Sequence, residues 1–257
     1  LVLIADHTHT INRQEDTGPR RTLTCSSSPV SFLYLLPSSR HFTLTHTLLM
    51  IKNIVFDMGG VLAEISPARA VRNFEAIGVA DAAELINPYN HSGLFGDLER
   101  GTIDTNEFVR RLSAHCGRAL DPEDVRRAWL SIANPAEVDK LDYIRHLRPQ
   151  YRLYVLSNNN PIVTGWARTA DFSAAGRPVT DYFDRLYISY EMHCMKPEPE
   201  IFQRMIEDSG MVPAETLFID DGAHHLVTAR SLGFHTLLAT NGGDWRPDVD
   251  RFLRENK

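Results

Sequence analysis

Cysteine is scarce in this 257-residue chain, and Cys25, Cys116 and Cys194 are too few, and odd in number, for a disulfide framework. None of them has metal-ligand spacing, so they fit the reduced thiols of a cytoplasmic protein. Positive charge is short too: 27 basic side chains face 33 acidic ones, for a formal net charge of −6. Nucleic-acid binding needs concentrated positive charge, and no polybasic run occurs, so no nucleic-acid partner is expected. Long apolar runs are missing as well. Even the region from Leu48 to Val61 is broken by Lys52, Asn53 and Asp57, so no membrane span or membrane partner is expected. No internal repeat is present. What remains is ordinary globular composition, 43% hydrophobic and 23% charged, in a chain long enough to bury a sizeable core.

Residues 1 to 49 are rich in Thr, Ser and His and contain loop-like runs such as Cys25-Ser26-Ser27-Ser28-Pro29. They read as a disordered extension or as upstream sequence translated from a misplaced start, with Met50 the first plausible beginning. A targeting peptide fits poorly, because Asp6, Glu15 and Asp16 intervene and no basic segment precedes an apolar core.

The rest of the chain is organised around Ile54-Val55-Phe56-Asp57-Met58-Gly59-Gly60. Its first three residues have the β-branched and aromatic character of a strand buried on both faces of a parallel sheet. Asp57 falls at the carboxyl end, where open α/β sheets bind ligands. Gly59 and Gly60 permit a sharp turn and bring backbone amides close to an anion. Taken alone, the segment is as consistent with a turn cap as with a nucleophilic or metal-binding carboxylate.

Downstream, helix signals dominate. Ser66-Pro67 opens a helix closed by Gly78, Asp104-x-x-Glu107 starts a second, Asp121-Pro122 a third and Asn134-Pro135 a fourth, with Val138, Leu141 and Ile144 inward. Strand and helix then alternate. Strands are expected at Arg152–Leu156, Arg185–Ile188, Thr216–Ile219 and His235–Ala239, with helices ending near Gly210 and Gly233 and a last short helix after Gly243. The expected fold is a doubly wound, Rossmann-like parallel α/β sheet over residues 50–64 and 149–257. A small helical cap over residues 65–148 is inserted after the first strand.

Four strand ends carry suggestive chemistry: Asp57, Ser157-Asn158, the loop leading to Lys196, and Asp220-Asp221. A hydroxyl and an amide bind phosphate oxygens, and a lysine neutralises phosphate and carboxylate together. Two adjacent carboxylates facing a third repel one another unless a hard cation sits among them. Singly, each has a plainer reading: a polar turn for Ser157–Asn160, a solvated Lys196, an N-cap pair for Asp220-Asp221. His224 and His225 point to different faces of a helix and read as a surface feature of its first turn. Trp129 reads as core. Trp166 does too, although it follows the Ser157 loop closely enough to border a pocket.

In this order and spacing, Phe56-Asp57-Met58-Gly59-Gly60-Val61, Val155-Leu156-Ser157-Asn158, Met195-Lys196-Pro197-Glu198 and Phe218-Ile219-Asp220-Asp221 resemble the four motifs of the haloacid dehalogenase superfamily. Over residues 51–257 the chain is similar to its sugar-1-phosphate phosphatase branch. The resemblance implies a Mg²⁺-dependent hydrolase of a small phosphorylated sugar. In it Asp57 attacks phosphorus to form an aspartyl-phosphate, and Ser157, Asn158, Gly60 and Lys196 hold the phosphoryl group. Asp57, the Gly59 carbonyl, Asp220 and Asp221 would hold Mg²⁺. Two residues depart from the common family pattern. Gly59 stands where most phosphatases of the family carry a general-acid Asp, and Gly222 where this branch often has Asn. Without that acid, esters with acidic leaving groups are expected to be favoured, hence sugar-1-phosphates over 6-phosphates. The alternatives are a dehalogenase using the same Asp, which needs no metal, and a catalytically silent phospho-ligand sensor.

Overall fold

The computed structural model describes residues 50–86 and 93–256, so the reading of residues 1 to 49 lies outside the described residues. Five strands, Asn53–Phe56 (β1), Arg152–Ser157 (β2), Arg185–Ile188 (β3), Thr216–Asp220 (β4) and His235–Leu238 (β5), form a parallel sheet in the order β3-β2-β1-β4-β5. Phe56 lies beside Val155 on one side and Ile219 on the other. That register delivers Asp57, Ser157 and Asp220 to one edge of the sheet. Strand order reverses at β1, with β2 and β3 to one side and β4 and β5 to the other, the point at which doubly wound sheets open a crevice.

Side chains alternate across the sheet with the two-residue period of a strand. Ile54, Phe56, Leu153, Val155, Leu217 and Ile219 enter one core, and Val55, Tyr154, Leu156 and Phe218 enter the other. Both faces are covered, which is why these strands read as continuous apolar runs instead of alternating ones.

The helices before β2 are Pro67–Ala76 (α1), Ala82–Leu85 (α2), Gly93–Arg100 (α3), Thr105–His115 (α4), Pro122–Leu130 (α5) and Val138–Leu147 (α6). Asp104 accepts from the Glu107 amide at 2.8 Å, and Asp121 from those of Glu123 and Asp124, so both expected caps form, each worth about 1 kcal/mol. Ser66 makes no side-chain cap bond. The helix expected to open at Asn134-Pro135 begins later, at Val138. Residues 134–136 are held extended, with the Asn134 amide on the Glu64 carbonyl and the Ala136 amide on the Phe172 carbonyl. The short α2 and α3 escaped the sequence reading, because α3 carries Gly93 and Gly96, which are poor helix formers.

Helices α1 to α5 build their own core around Phe74, Phe95, Phe108 and Trp129, whose rings meet with centroids 5.0–6.3 Å apart. Helix α6 does not join it. Leu141, Ile144 and Leu147 pack into the sheet core with Ile54 and Leu153. After β2 come Pro161–Ala167 (α7), Ser189–Met192 (α8), Pro199–Ser209 (α9), Ala223–Ser231 (α10) and Arg246–Glu255 (α11). Among the described residues, no helix is long and apolar enough to cross a membrane.

Candidate active site

Asp57 follows β1 directly, and its amide donates to the Ile219 carbonyl of β4, so its position is set by the sheet. One carboxylate oxygen accepts from the Met58 amide at 2.6 Å, and the other faces the Lys196 ammonium at 3.0 Å. Lys196 is 1% exposed and also donates to Asp220 at 2.6 Å, in contrast to the solvated side chain its sequence context suggests in isolation. Asp220, 0% exposed, accepts in addition from the Gly222 amide at 2.7 Å and from His225 Nδ1 at 2.9 Å. Asp221 closes the group. Carboxylate oxygens of Asp57, Asp220 and Asp221 lie within 4.8 Å of one another.

Burial, with Asp220 and Asp221 nearby, pushes the Asp57 carboxyl up to about 6 despite the Lys196 charge. Burial and Asp220 raise Asp221 as well. Asp220 moves the other way: desolvation opposes its charge, but Lys196 and His225 outweigh that and hold it well below the usual carboxylate range. For Lys196, burial favours the neutral amine, and Asp220 and Asp57 overcome it and raise the ammonium. Burial lowers His225 below an ordinary histidine, although Asp220 favours its charge. Because ionised Asp220 can only accept, Nδ1 of that ring carries the proton. One lysine thus faces three carboxylates, and an oxygen-lined cluster with that balance fits a hard divalent cation.

The structure gives two of the expected site residues, Asn158 and Gly60, other contacts, and brings in a histidine that the sequence reading placed on the surface. Asn158 spends its amide on the Lys196 backbone, donating to the carbonyl and accepting from the amide at 2.8 Å each, so its side chain fixes the lysine loop instead of reaching for phosphate. Gly60 donates its own amide to the Ala63 carbonyl and does not line the cavity. Its φ of +76° and a Cα pressed against the Asp221 carboxylate leave no room for a Cβ. His225 is buried, not a surface group. It shares the inward side of α10 with Ala229, four residues on, a spacing that could have revealed it. A Cβ at Gly222 would press on the His225 ring, so this glycine and this histidine fit each other. Ser157 stays where expected: 2% exposed, with its hydroxyl 3.5 Å from the nearest acceptor, the Asn158 carbonyl, too far to be held by it.

These groups form the floor of a cleft of about 320 Å³. Phe95, Glu99 and Trp129 from α3 and α5, and Val163 and Trp166 from α7, form its walls. Ser189 is fully buried and ties the walls to the floor, accepting from the Asn159 amide at 2.9 Å and donating to the Glu99 carbonyl at 2.6 Å. Arg100 clasps Glu198, two residues after Lys196, through both nitrogens at 3.0 and 2.5 Å. Neither contact was visible in the sequence, because the partners are 90 and 98 residues apart.

Comparison with known proteins agrees with this arrangement. Residues 51–233 match the family model of the haloacid dehalogenase-like hydrolases. The chain belongs to that family. As a member of it, the chain is 46% identical over 204 residues to the D-ribitol-5-phosphate phosphatase of Bacteroides thetaiotaomicron, covering 79% of this chain and 99% of that one. A predicted haloacid dehalogenase-like hydrolase from Porphyromonas gingivalis superposes with a TM-score of 0.77 at 46% identity, covering 80% of this chain and 98% of the other. A family enzyme from Bacteroides thetaiotaomicron, solved with magnesium and inorganic phosphate, follows at a TM-score of 0.71 and 37% identity, covering 76% and 97%. The protein is accordingly a hydrolase with the family's parallel α/β fold.

Proposed function

We propose that this hydrolase is a Mg²⁺-dependent phosphatase of small sugar or polyol phosphates, working through an aspartyl-phosphate on Asp57. The observation that carries the reading is Lys196, buried between Asp57 and Asp220 with Asp221 on the far side. We assign Asp57, Asp221 and the Gly59 carbonyl to Mg²⁺, with Asp220 behind them, because both Asp220 oxygens already accept from protein donors. Bound there, Mg²⁺ would neutralise charge on the phosphoryl group.

The Asp57 oxygen forms its bond to phosphorus as the bond to the ester oxygen breaks, and that oxygen takes a proton from water to leave as the alcohol. A second water then adds to phosphorus, breaking the bond to Asp57, releasing inorganic phosphate and restoring the carboxylate. Ser157 and Lys196 hold phosphoryl oxygens through these steps. Asp220 and Asp221 beside the nucleophile argue against a dehalogenase, whose metal-free reaction uses the Asp57 carboxylate alone. Helices α1 to α5 act as the cap, which ends before α6 instead of at residue 148. The free Cys116 and Cys194 are consistent with work in the cytoplasm.

The relative named for ribitol 5-phosphate supports a terminal ester of an open-chain polyol, whereas Gly59 alone points to an anomeric one. We favour the terminal polyol ester. Phosphate release from ribitol 5-phosphate, glucose 1-phosphate and glucose 6-phosphate, each with Mg²⁺ and with chelator, tests this. The expected result is chelator-sensitive release, fastest from the polyol ester. No metal-dependent release from any sugar or polyol phosphate would sink the proposal.

A further inference from the structure

The polar side chains around the cleft divide into those already engaged and those open to a ligand. Asn158 is bound to the Lys196 backbone. Asn159 accepts from the Asn160 amide at 2.9 Å, Asn160 caps α7, and Asn241 both donates to and accepts from the Ile65 backbone at 2.8 and 3.0 Å. In all four the carbonyl oxygen is already engaged. Trp129 is different. It is 3% exposed and lines the cleft, and its indole N–H is buried with no hydrogen-bond partner among the described residues.

Ring contacts with Phe74, Phe95 and Phe108 hold the indole in place. A fixed, buried donor without an acceptor is costly in a folded protein, and such groups are normally satisfied by water or ligand. Indole N–H can only donate, so its partner has to be an oxygen or another acceptor. Two further buried atoms lack partners. Thr164 Oγ1 belongs to a residue outside the cleft lining, and His225 Nε2 sits beside the carboxylate cluster. Among these three atoms, only the Trp129 N–H is a donor in the helical wall of the cleft.

We propose that the Trp129 N–H is a specificity-determining group, donating to one hydroxyl oxygen of the alcohol part of the substrate. This rests on the phosphatase reading above and names the feature the enzyme selects: an oxygen on the leaving group, presented against a mainly aromatic and aliphatic wall. A site built to bond a substrate hydroxyl rejects the analogue lacking it, because the buried donor is then left unpaired.

The test uses the full chain with Mg²⁺ and three kinds of ester: ribitol 5-phosphate, its single-deoxy analogues, and phenyl phosphate, which has no hydroxyl. On the unmodified enzyme, one deoxy position should lower kcat/KM about tenfold and the others little. In Trp129→Phe, which keeps a ring but removes the donor, ribitol 5-phosphate should fall by a similar factor. That deoxy analogue should show no further loss, and phenyl phosphate should stay within about twofold. Equal losses for all esters would make Trp129 a packing residue and overturn the proposal. So would a deoxy series on the unmodified enzyme in which no position matters, an outcome that needs no variant to fold and that marks the partner of the N–H as water. Metal-dependent release from phenyl phosphate on the unmodified enzyme reports separately on the reaction class, so failure of the subsite and failure of the phosphatase reading are distinguishable.

Discussion

The floor and the walls of the cleft are made by opposite means. The floor consists of loops at the carboxyl ends of β1, β2 and β4 and the Lys196 loop, each bearing a charged or hydroxyl side chain, with Lys196 in short contact with Asp57 and Asp220. The walls come from α3, α5 and α7 and are mainly aromatic and aliphatic. Parallel strands fix three of the floor groups, because Asp57 directly follows the paired Phe56 while Ser157 and Asp220 are the last residues of β2 and β4, paired with Ile188 and Leu238. The helical wall owes its shape mainly to ring packing, with Ser189 and the Arg100–Glu198 pair tying it to the floor. The contrast teaches that chemistry and selectivity are separable here: floor variants should change turnover of every ester, and wall variants should change which ester is preferred.

The largest effect should come from Asp57→Asn. The amide cannot attack phosphorus, so kcat should fall on the order of 10⁴–10⁶-fold for phenyl phosphate and polyol phosphate alike, with circular dichroism unchanged. A loss confined to one ester would break the floor-and-wall distinction. Phe95→Ala should follow. It deletes a buried ring touching Phe74, Phe108 and Trp129, costs about 3–5 kcal/mol by denaturant titration, and should lower kcat/KM for the polyol ester more than for phenyl phosphate.

Gly59→Asp is a smaller and more informative change. A Cβ at residue 59 meets only Ile65, at an ordinary 3.4 Å, so a side chain can start there without a clash. If it supplies the missing acid, the rate ratio of ribitol 5-phosphate to phenyl phosphate should rise several-fold, since the primary alcohol gains more from protonation. An unchanged ratio would assign proton delivery to another group. The smallest effect concerns pH. The Asp57 carboxyl has a folded pKa of about 6 against an ordinary 3.8, so the fold disfavours its charge. The metal-free protein therefore loses stability as pH rises from about 4 through 6, and the penalty is complete above that. Asp57→Asn removes it, so the variant should melt a few °C higher than the unmodified protein near pH 7.5 without Mg²⁺, and no higher near pH 4. Calorimetry at the two pH values checks the sign.

Much of the floor was legible in the sequence because each member follows a short apolar run ending abruptly in a polar residue. Asp57 after Ile54-Val55-Phe56 and Asp220 after Leu217-Phe218-Ile219 are of this kind. The helical insert was legible in part. Asp104 and Asp121 announce α4 and α5 through cap chemistry acting within three residues, whereas α3 has no such local signal and is held by packing of Phe95 and Leu98.

By itself the sequence determined the doubly wound sheet, the four strand ends that meet, and the need for a cation among three carboxylates, since all depend on residue character and spacing along the chain. Only the tertiary structure decided what each polar group has left to offer. Asn158 reads as a ligand group until its amide is seen on the Lys196 backbone 38 residues away. Gly60 reads as an anion contact until the Asp221 carboxylate is seen against its Cα. His225 reads as surface until its ring is seen on Asp220, and Trp129 reads as plain core until its N–H is found buried with no acceptor among the described residues. Hydrogen-bond capacity is spent between residues distant in sequence, so which donors remain for a substrate depends on the folded neighbourhood, and no local pattern encodes it.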